Sequence, residues 1–100
     1  MDAVIKKQDD KLYVSGQVDF ATVPIIWKNS LSLLSNDKGA KLEIDCSGIT
    51  SSTSAAIALI LEWIQYSKAH QQSIQFTGMP QQIISIMEAA NIKKVLDTYF

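Results

Sequence analysis

The chain has 100 residues, of which 47% are hydrophobic and 19% charged, with 4 Gly and 2 Pro. That length suits one domain (residues 1–100) around one core, and the composition excludes a disordered or low-complexity chain. Nine basic against ten acidic residues give a formal net charge of −1, and the lysines are too dispersed for the basic stripe of a nucleic-acid binder.

The start, Met1-Asp2-Ala3-Val4, lacks the basic region and apolar core of a signal peptide. Val4-Ile5-Lys6-Lys7 and Leu12-Tyr13-Val14-Ser15 are short β-prone runs around the polar Gln8-Asp9-Asp10, which predicts a hairpin. Gly16 is expected to end the second strand, with Asp19 in the following loop. Thr22 is the expected N-cap of a first helix, and Pro24 falls within its first turn. Val23, Ile26, Trp27, Leu31 and Leu34 recur at helical spacing up to the polar stop Ser35-Asn36-Asp37-Lys38-Gly39. Lys41–Cys46 reads as a strand with Leu42 and Ile44 on one face. It passes into a Ser/Thr-rich loop and then a long apolar helix from about Ser54 to His70. Ser73–Thr77 is a further strand, Gly78-Met79-Pro80 a turn, and Ile83, Ile86, Met87 and Ala90 mark an amphipathic helix with Asn91 as C-cap. In the tail, Ile92, Val95 and Leu96 are placed to form a last short turn against the core. The order β-β-α-β-α-β-α calls for a sheet with parallel members, an antiparallel edge from the hairpin, and helices on one face.

No apolar run approaches the roughly 18 residues of a membrane span. One cysteine excludes an internal disulfide and fits a reducing compartment. One His and one Cys argue against a zinc site, and neither a metal nor a cofactor is expected. Cys46 has no base near it in sequence and reads as a small hydrophobe. Asp45 is expected to accept N–H bonds from the loop, and Asp19 either to shape a partner-facing loop or to close an Asx turn. His70 suits a helix C-terminus. Trp27 and Trp63 read as core or core-edge residues, Met79 as a gap filler, and Lys93-Lys94 as too few charges for a membrane anchor. These readings describe a binding module of the cytoplasm, without base–nucleophile pairing for an enzyme.

The segment Gly48–Ala56, GITSSTSAA, joins a strand's carboxyl end to a helix's amino end. Sites on α/β sheets gather on that side, and a helix N-terminus favours an anion or a phosphorylated hydroxyl. The same hydroxyls are also ordinary helix caps. On a helical wheel Ile57, Ile60, Leu61 and Ile64 cluster toward the sheet with Ala56 and Trp63 flanking. Ser54, Ala55, Ala58, Glu62 and Gln65 fall on the outer side, with Leu59 and Tyr66 at its edge.

Ile44-Asp45-Cys46-Ser47-Gly48-Ile49, followed by Thr53-Ser54-Ala55-Ala56 and the run to Trp63, resembles the STAS domains of anti-sigma-factor antagonists and sulfate transporters. Gly16-Gln17-Val18-Asp19 resembles the family's G-x-L/V-D loop. The Pro24–Trp27 segment and Leu61-Glu62-Trp63 are most similar to the Mla-type accessory members. The resemblance runs from about Leu12 to Leu96 and implies a STAS-like α/β fold, a mixed sheet of four to five strands with helices mainly on one face. It also implies a non-catalytic subunit that binds the cytoplasmic ATPase of an ABC-type phospholipid transporter. Such a subunit is peripheral to the inner membrane through its partner and has no membrane insertion of its own. The implied partner-binding residues are Asp19, Ser52, Thr53, Ser54, Ala55, Ala58 and Glu62. Ser54 falls at the family's phosphoacceptor position, Thr53 where the family has Asp, and Ala56 where it has Gly. The alternative is an anti-sigma-factor antagonist phosphorylated on Ser54 by an anti-sigma kinase; self-association stays open.

Overall fold

A computed structural model describes residues 3–34 and 36–100; Met1 and Asp2, at the start read as lacking signal-peptide features, and Ser35, in the predicted polar stop, lie outside the described residues. The chain opens with the predicted hairpin, β1 (Val4–Gln8) and β2 (Lys11–Val18). Its two-residue turn puts Asp9 at φ 53° and Asp10 at φ 63°. Left-handed conformations at both central positions match the right-handed twist of the flanking strands. Helix α1 (Val23–Leu31), strand β3 (Lys41–Ser52), helix α2 (Ala55–Ala69), strand β4 (Ser73–Thr77) and helix α3 (Gln81–Ala89) follow. The chain finishes with a single turn of helix, α4 (Lys93–Leu96), and a 3₁₀ turn, Asp97–Tyr99.

The sheet has four strands in the order β1-β2-β3-β4. β1 and β2 are antiparallel, whereas β2/β3 and β3/β4 are parallel, so α1 and α2 serve as the crossover connections that parallel neighbours require. Period-two alternation builds its two faces. Leu12, Val14 and Val18 of β2, Ile44 and Cys46 of β3, and Ile74 and Phe76 of β4 are buried in one cluster with Ile26, Leu59, Ile60, Trp63, Ile83 and Met87 from the helices. Tyr13, Ser15, Gln17, Ser73 and Gln75 point to the opposite, open face. The helices therefore cover one face, as the sequence pattern requires.

Both middle strands are longer than predicted. Gly16 does not end β2: it sits inside the strand at φ 93°, next to a register shift between Gly16 and Gln17. A left-handed residue within a strand marks a bulge, and Gly accepts it without a Cβ penalty. β3 continues past Cys46 through most of the Ser/Thr-rich segment, pairing Gly48 with Ser15 and Ser52 with Val18. A Cβ on Gly48 would lie 2.9 Å from Ser15 Cβ and 3.0 Å from the Val14 carbonyl oxygen. The strands can approach there only because position 48 has no side chain.

A buried polar link joins α1 and α2 within the core. Trp63 Nε1 donates to Ser30 Oγ at 3.1 Å, and Ser30 Oγ donates to the Trp27 carbonyl at 2.7 Å. Trp63 then leans on Phe76 (ring centroids 6.1 Å apart), and Phe76 on Phe100 (5.5 Å). Trp27 is half-buried and meets Tyr66 edge-on, which puts α1 beside that flank of α2. The tail turn forms as expected with Leu96 buried, but Val95 points outward at 73% exposure. Asn91 takes φ 59° just past the α3 C-cap, the left-handed position at which helices end.

Candidate partner-binding surface

The carboxyl end of the sheet is assembled from three connections. The Thr53 N–H donates to the Val18 carbonyl at 3.0 Å, continuing the β2/β3 pairing into the start of α2. Ser52 is bonded in turn to α3: its N–H (3.2 Å) and Oγ (3.4 Å) both reach Gln82 Oε1. The segments after β2 and β3 and the first turn of α3 therefore form one platform.

Hydroxyl roles in this platform are divided between neighbours. Thr53 Oγ1 accepts the Ala55 N–H at 3.2 Å. Ser54 occupies the N-cap position of α2, yet its side chain makes no capping bond, and it is exposed. Capping and display thus fall to adjacent residues. Thr53, Ser54, Ala58 and Glu62 all reach the surface.

Two of the predicted partner-facing residues do not. Ala55 is 3% exposed and Ser52 6% exposed; Ala55 lies against the helical core side, and Ser52 is enclosed by its bonds to Gln82. The helix is rotated from the predicted phase. Leu59 and Trp63 are both 2% exposed and face the core, whereas Leu61 is 41% exposed and Ile57 half-buried. Ile60 and Ile64 are buried as predicted. The physical reason is that α2 packs against α1 as well as the sheet. The flank carrying Leu59, Trp63 and Tyr66 is covered by Trp27 and Ser30, a contact that sheet-only reasoning leaves out.

Asp19 closes an Asx turn. Its Oδ1 accepts the N–H groups of Ala21 and Thr22, each at 2.9 Å, while its backbone N–H donates to Thr22 Oγ1 at 2.9 Å. Thr22 stands at the N-cap position but gives α1 no side-chain cap; its hydroxyl donates instead to the Gln17 carbonyl at 2.9 Å. The turn raises Phe20 into solvent at 74% exposure. Sequence reasoning missed Phe20 as a functional candidate. The available signal was an aromatic between Asp19 and Thr22 that lies off the Val23/Ile26/Trp27 helical stripe.

Asp45 behaves as its sequence position predicts. The Ser47 hydroxyl (2.6 Å) and then the Ser47 N–H (2.8 Å) donate to Oδ1 and hold the carboxyl below the usual aspartate range. Burial pushes the Cys46 thiol up to about 12, which keeps it protonated and unreactive. His70 is the C-cap of α2, with Nδ1 2.9 Å from the Tyr66 carbonyl and its ring stacked on Tyr66 at 3.9 Å. Among the described residues no group of three or more His, Cys, Asp or Glu side chains converges to hold a metal ion, and no helix is long and apolar enough to cross a membrane.

A four-stranded mixed sheet, helices on one face and a hydroxyl-rich β3–α2 junction define a STAS-type domain. The family model of the Mlab STAS domain matches residues 1–97, and the chain belongs to that family. A solved structure described as "Crystal Structure Analysis of Mglu" is similar with a TM-score of 0.57 at 13% identity. The match covers 80% of this chain and 20% of that one, and it is a likeness of fold alone. No curated protein matches the chain in sequence.

Proposed function

We propose that this chain is a non-catalytic STAS subunit that binds and supports the cytoplasmic ATPase of an ABC-type phospholipid transporter, one that maintains lipid asymmetry of the bacterial outer membrane. On this reading the chain is held at the inner membrane through that ATPase. The observation that carries it is the match to the Mlab STAS domain along residues 1–97. The surface chemistry agrees. Ser54 shows a hydroxyl that the helix does not use, and the small exposed Ala58 lets a partner backbone approach α2 closely.

Ala58→Arg tests the reading. In the free domain the long side chain extends into water on a good helix-forming residue, so the melting curve stays unchanged. In the complex the cation is displaced or buried unpaired, and affinity for the purified ATPase falls at least about a hundredfold. An unchanged melt with full binding refutes docking through this face. One observation favours a second reading, an anti-sigma-factor antagonist: the Ser54 hydroxyl is exposed and free of a capping bond, so a kinase can reach it. Against it, Thr53 stands where the family has Asp. Incubation with an anti-sigma kinase and intact-mass measurement separates the two; a phosphate that is lost in Ser54→Ala supports the second.

A further inference from the structure

We propose that the segment Asp97–Phe100 is a releasable guard over the outer edge of β4, and that its release opens this edge to antiparallel pairing with β4 of a second copy of this chain. The first observation is the direction of the backbone groups. β4 stands last in the sheet and pairs only with β3. The Ser73 N–H donates to the Ala40 carbonyl at 3.1 Å, which turns the Ser73 backbone toward β3. Backbone direction alternates along a strand, so Gln75 and Thr77 also face β3. The N–H and C=O groups of Ile74 and Phe76 therefore face away from the sheet.

Second, those outward groups are covered but not paired. Ile74 is 6% exposed and Phe76 2%, backbone included. The cover is the 3₁₀ turn Asp97–Tyr99, which packs against β4, together with the Phe100 ring, 5.5 Å from the Phe76 ring. The backbone bonds of this segment stay local: the Leu96 N–H goes to the Ile92 carbonyl and the Phe100 N–H to the Asp97 carbonyl. Among the described residues no backbone bond joins the segment to Ile74 or Phe76. A single turn held by side-chain packing, without a ladder, opens at lower cost than the paired strands beneath it.

Third, the edge is complementary to itself. The opposite edge strand, β1, carries exposed Lys6 and Lys7, the charges that commonly protect a sheet edge. β4 has no charge, proline or bulge, and residues 69–87 contain no Asp, Glu, Lys or Arg. About a twofold axis at Gln75, an antiparallel copy sets Ile74 opposite Phe76, Ser73 opposite Thr77 and Gln75 opposite itself. Ile74 and Phe76 are then the pairs that exchange both N–H···O bonds. Apolar side chains meet on the buried face, hydroxyls and amides on the open face, and no like charges oppose one another.

Amide hydrogen exchange and light scattering on the full chain test the proposal. In the wild type the Ile74 and Phe76 amides are expected to exchange at least about tenfold faster than the Gln75 amide, which is bonded to β3, because only the guard has to open. Equal rates at the three positions overturn the guard. Phe100→Ala is expected to dimerise about tenfold more tightly than the wild type, since the ring no longer holds the guard down. Gln75→Lys in that background sets two cations opposite each other across the axis and is expected to abolish the dimer. Its melting curve stays unchanged, since Gln75 is exposed in the single chain. If Phe100→Ala does not fold, Phe100→Leu, which keeps an apolar side chain, carries the same comparison. Association no tighter than that of the wild type overturns the release, and a dimer that survives Gln75→Lys overturns the pairing through β4.

Discussion

Ser30→Ala removes a single oxygen from the best-buried polar position of the core. Ser30 is 0% exposed and its Oγ serves two bonds, accepting from Trp63 Nε1 at 3.1 Å and donating to the Trp27 carbonyl at 2.7 Å. Trp63 is 2% exposed, so its indole N–H cannot turn to water when the acceptor is removed. A buried donor left unpaired costs about 1–3 kcal/mol. The freed Trp27 carbonyl is a backbone group in α1 and keeps its helical surroundings, so the Trp63 N–H dominates. Lost packing of one small oxygen is minor beside it. The expected loss is therefore about 2 kcal/mol, read as a lower urea midpoint. In a domain of this size each kcal/mol lowers the melting temperature by about 4–8 °C. A double-mutant cycle isolates the cause. Trp63→Phe abolishes the donor, so Ser30→Ala should cost much less in that background than in the wild type. A loss below about 0.5 kcal/mol, or an equal loss in both backgrounds, refutes the assignment of Ser30 as the buried acceptor for Trp63.

The helix phase is checked by a pair. Leu59→Ala should cost about 2–5 kcal/mol in urea unfolding, and Leu61→Ala at most about 1 kcal/mol; the reverse ranking restores the phase read from the wheel alone. Thr53→Ala should lose about 1 kcal/mol by removing the cap on the Ala55 N–H, whereas Ser54→Ala should leave the unfolding midpoint in place. For Asp45, whose carboxyl is lowered by Ser47, stability is present above the usual aspartate range and is lost as pH falls through the lowered value. The stability gap between wild type and Asp45→Asn should accordingly narrow as pH drops from 6 to below 4, and a gap independent of pH rules out the Ser47 bonds as its source.

Strand identity and sheet composition were legible because burial on a sheet has period two and nothing interrupts it in Leu12/Val14 or Ile74/Phe76. The ends of the middle strands were not. Gly16 looks like a terminator, and Ser, Thr and Gly after Cys46 look like a loop, because both readings weigh residues singly. In the structure the two segments excuse each other. Gly16 takes a bulge conformation and Gly48 leaves room for Ser15, so β2 and β3 stay paired to Val18 and Ser52. That compatibility is a property of two segments separated by α1, and no local window contains it.

The same distinction explains the candidate surface. Ser54, Ala58 and Glu62 were placed outward by helical spacing and Thr53 by the resemblance, and all four are exposed. Ala55 and Ser52 were misplaced because their burial depends on neighbours far away in sequence: α1 against the Leu59–Tyr66 flank, and Gln82 across from Ser52. Phe20 is the converse. Periodicity assigns faces only within helices and strands, and Phe20 falls between them, where a hydrophobic residue carries no predicted direction. What directs it is the Asp19 carboxylate, bonded to the two N–H groups that follow the ring. Asp19 was read as either a partner-loop residue or an Asx turn. The structure shows the Asx turn: the carboxylate spends its bonds on the backbone, and the side chain left facing solvent is the neighbour it holds in place.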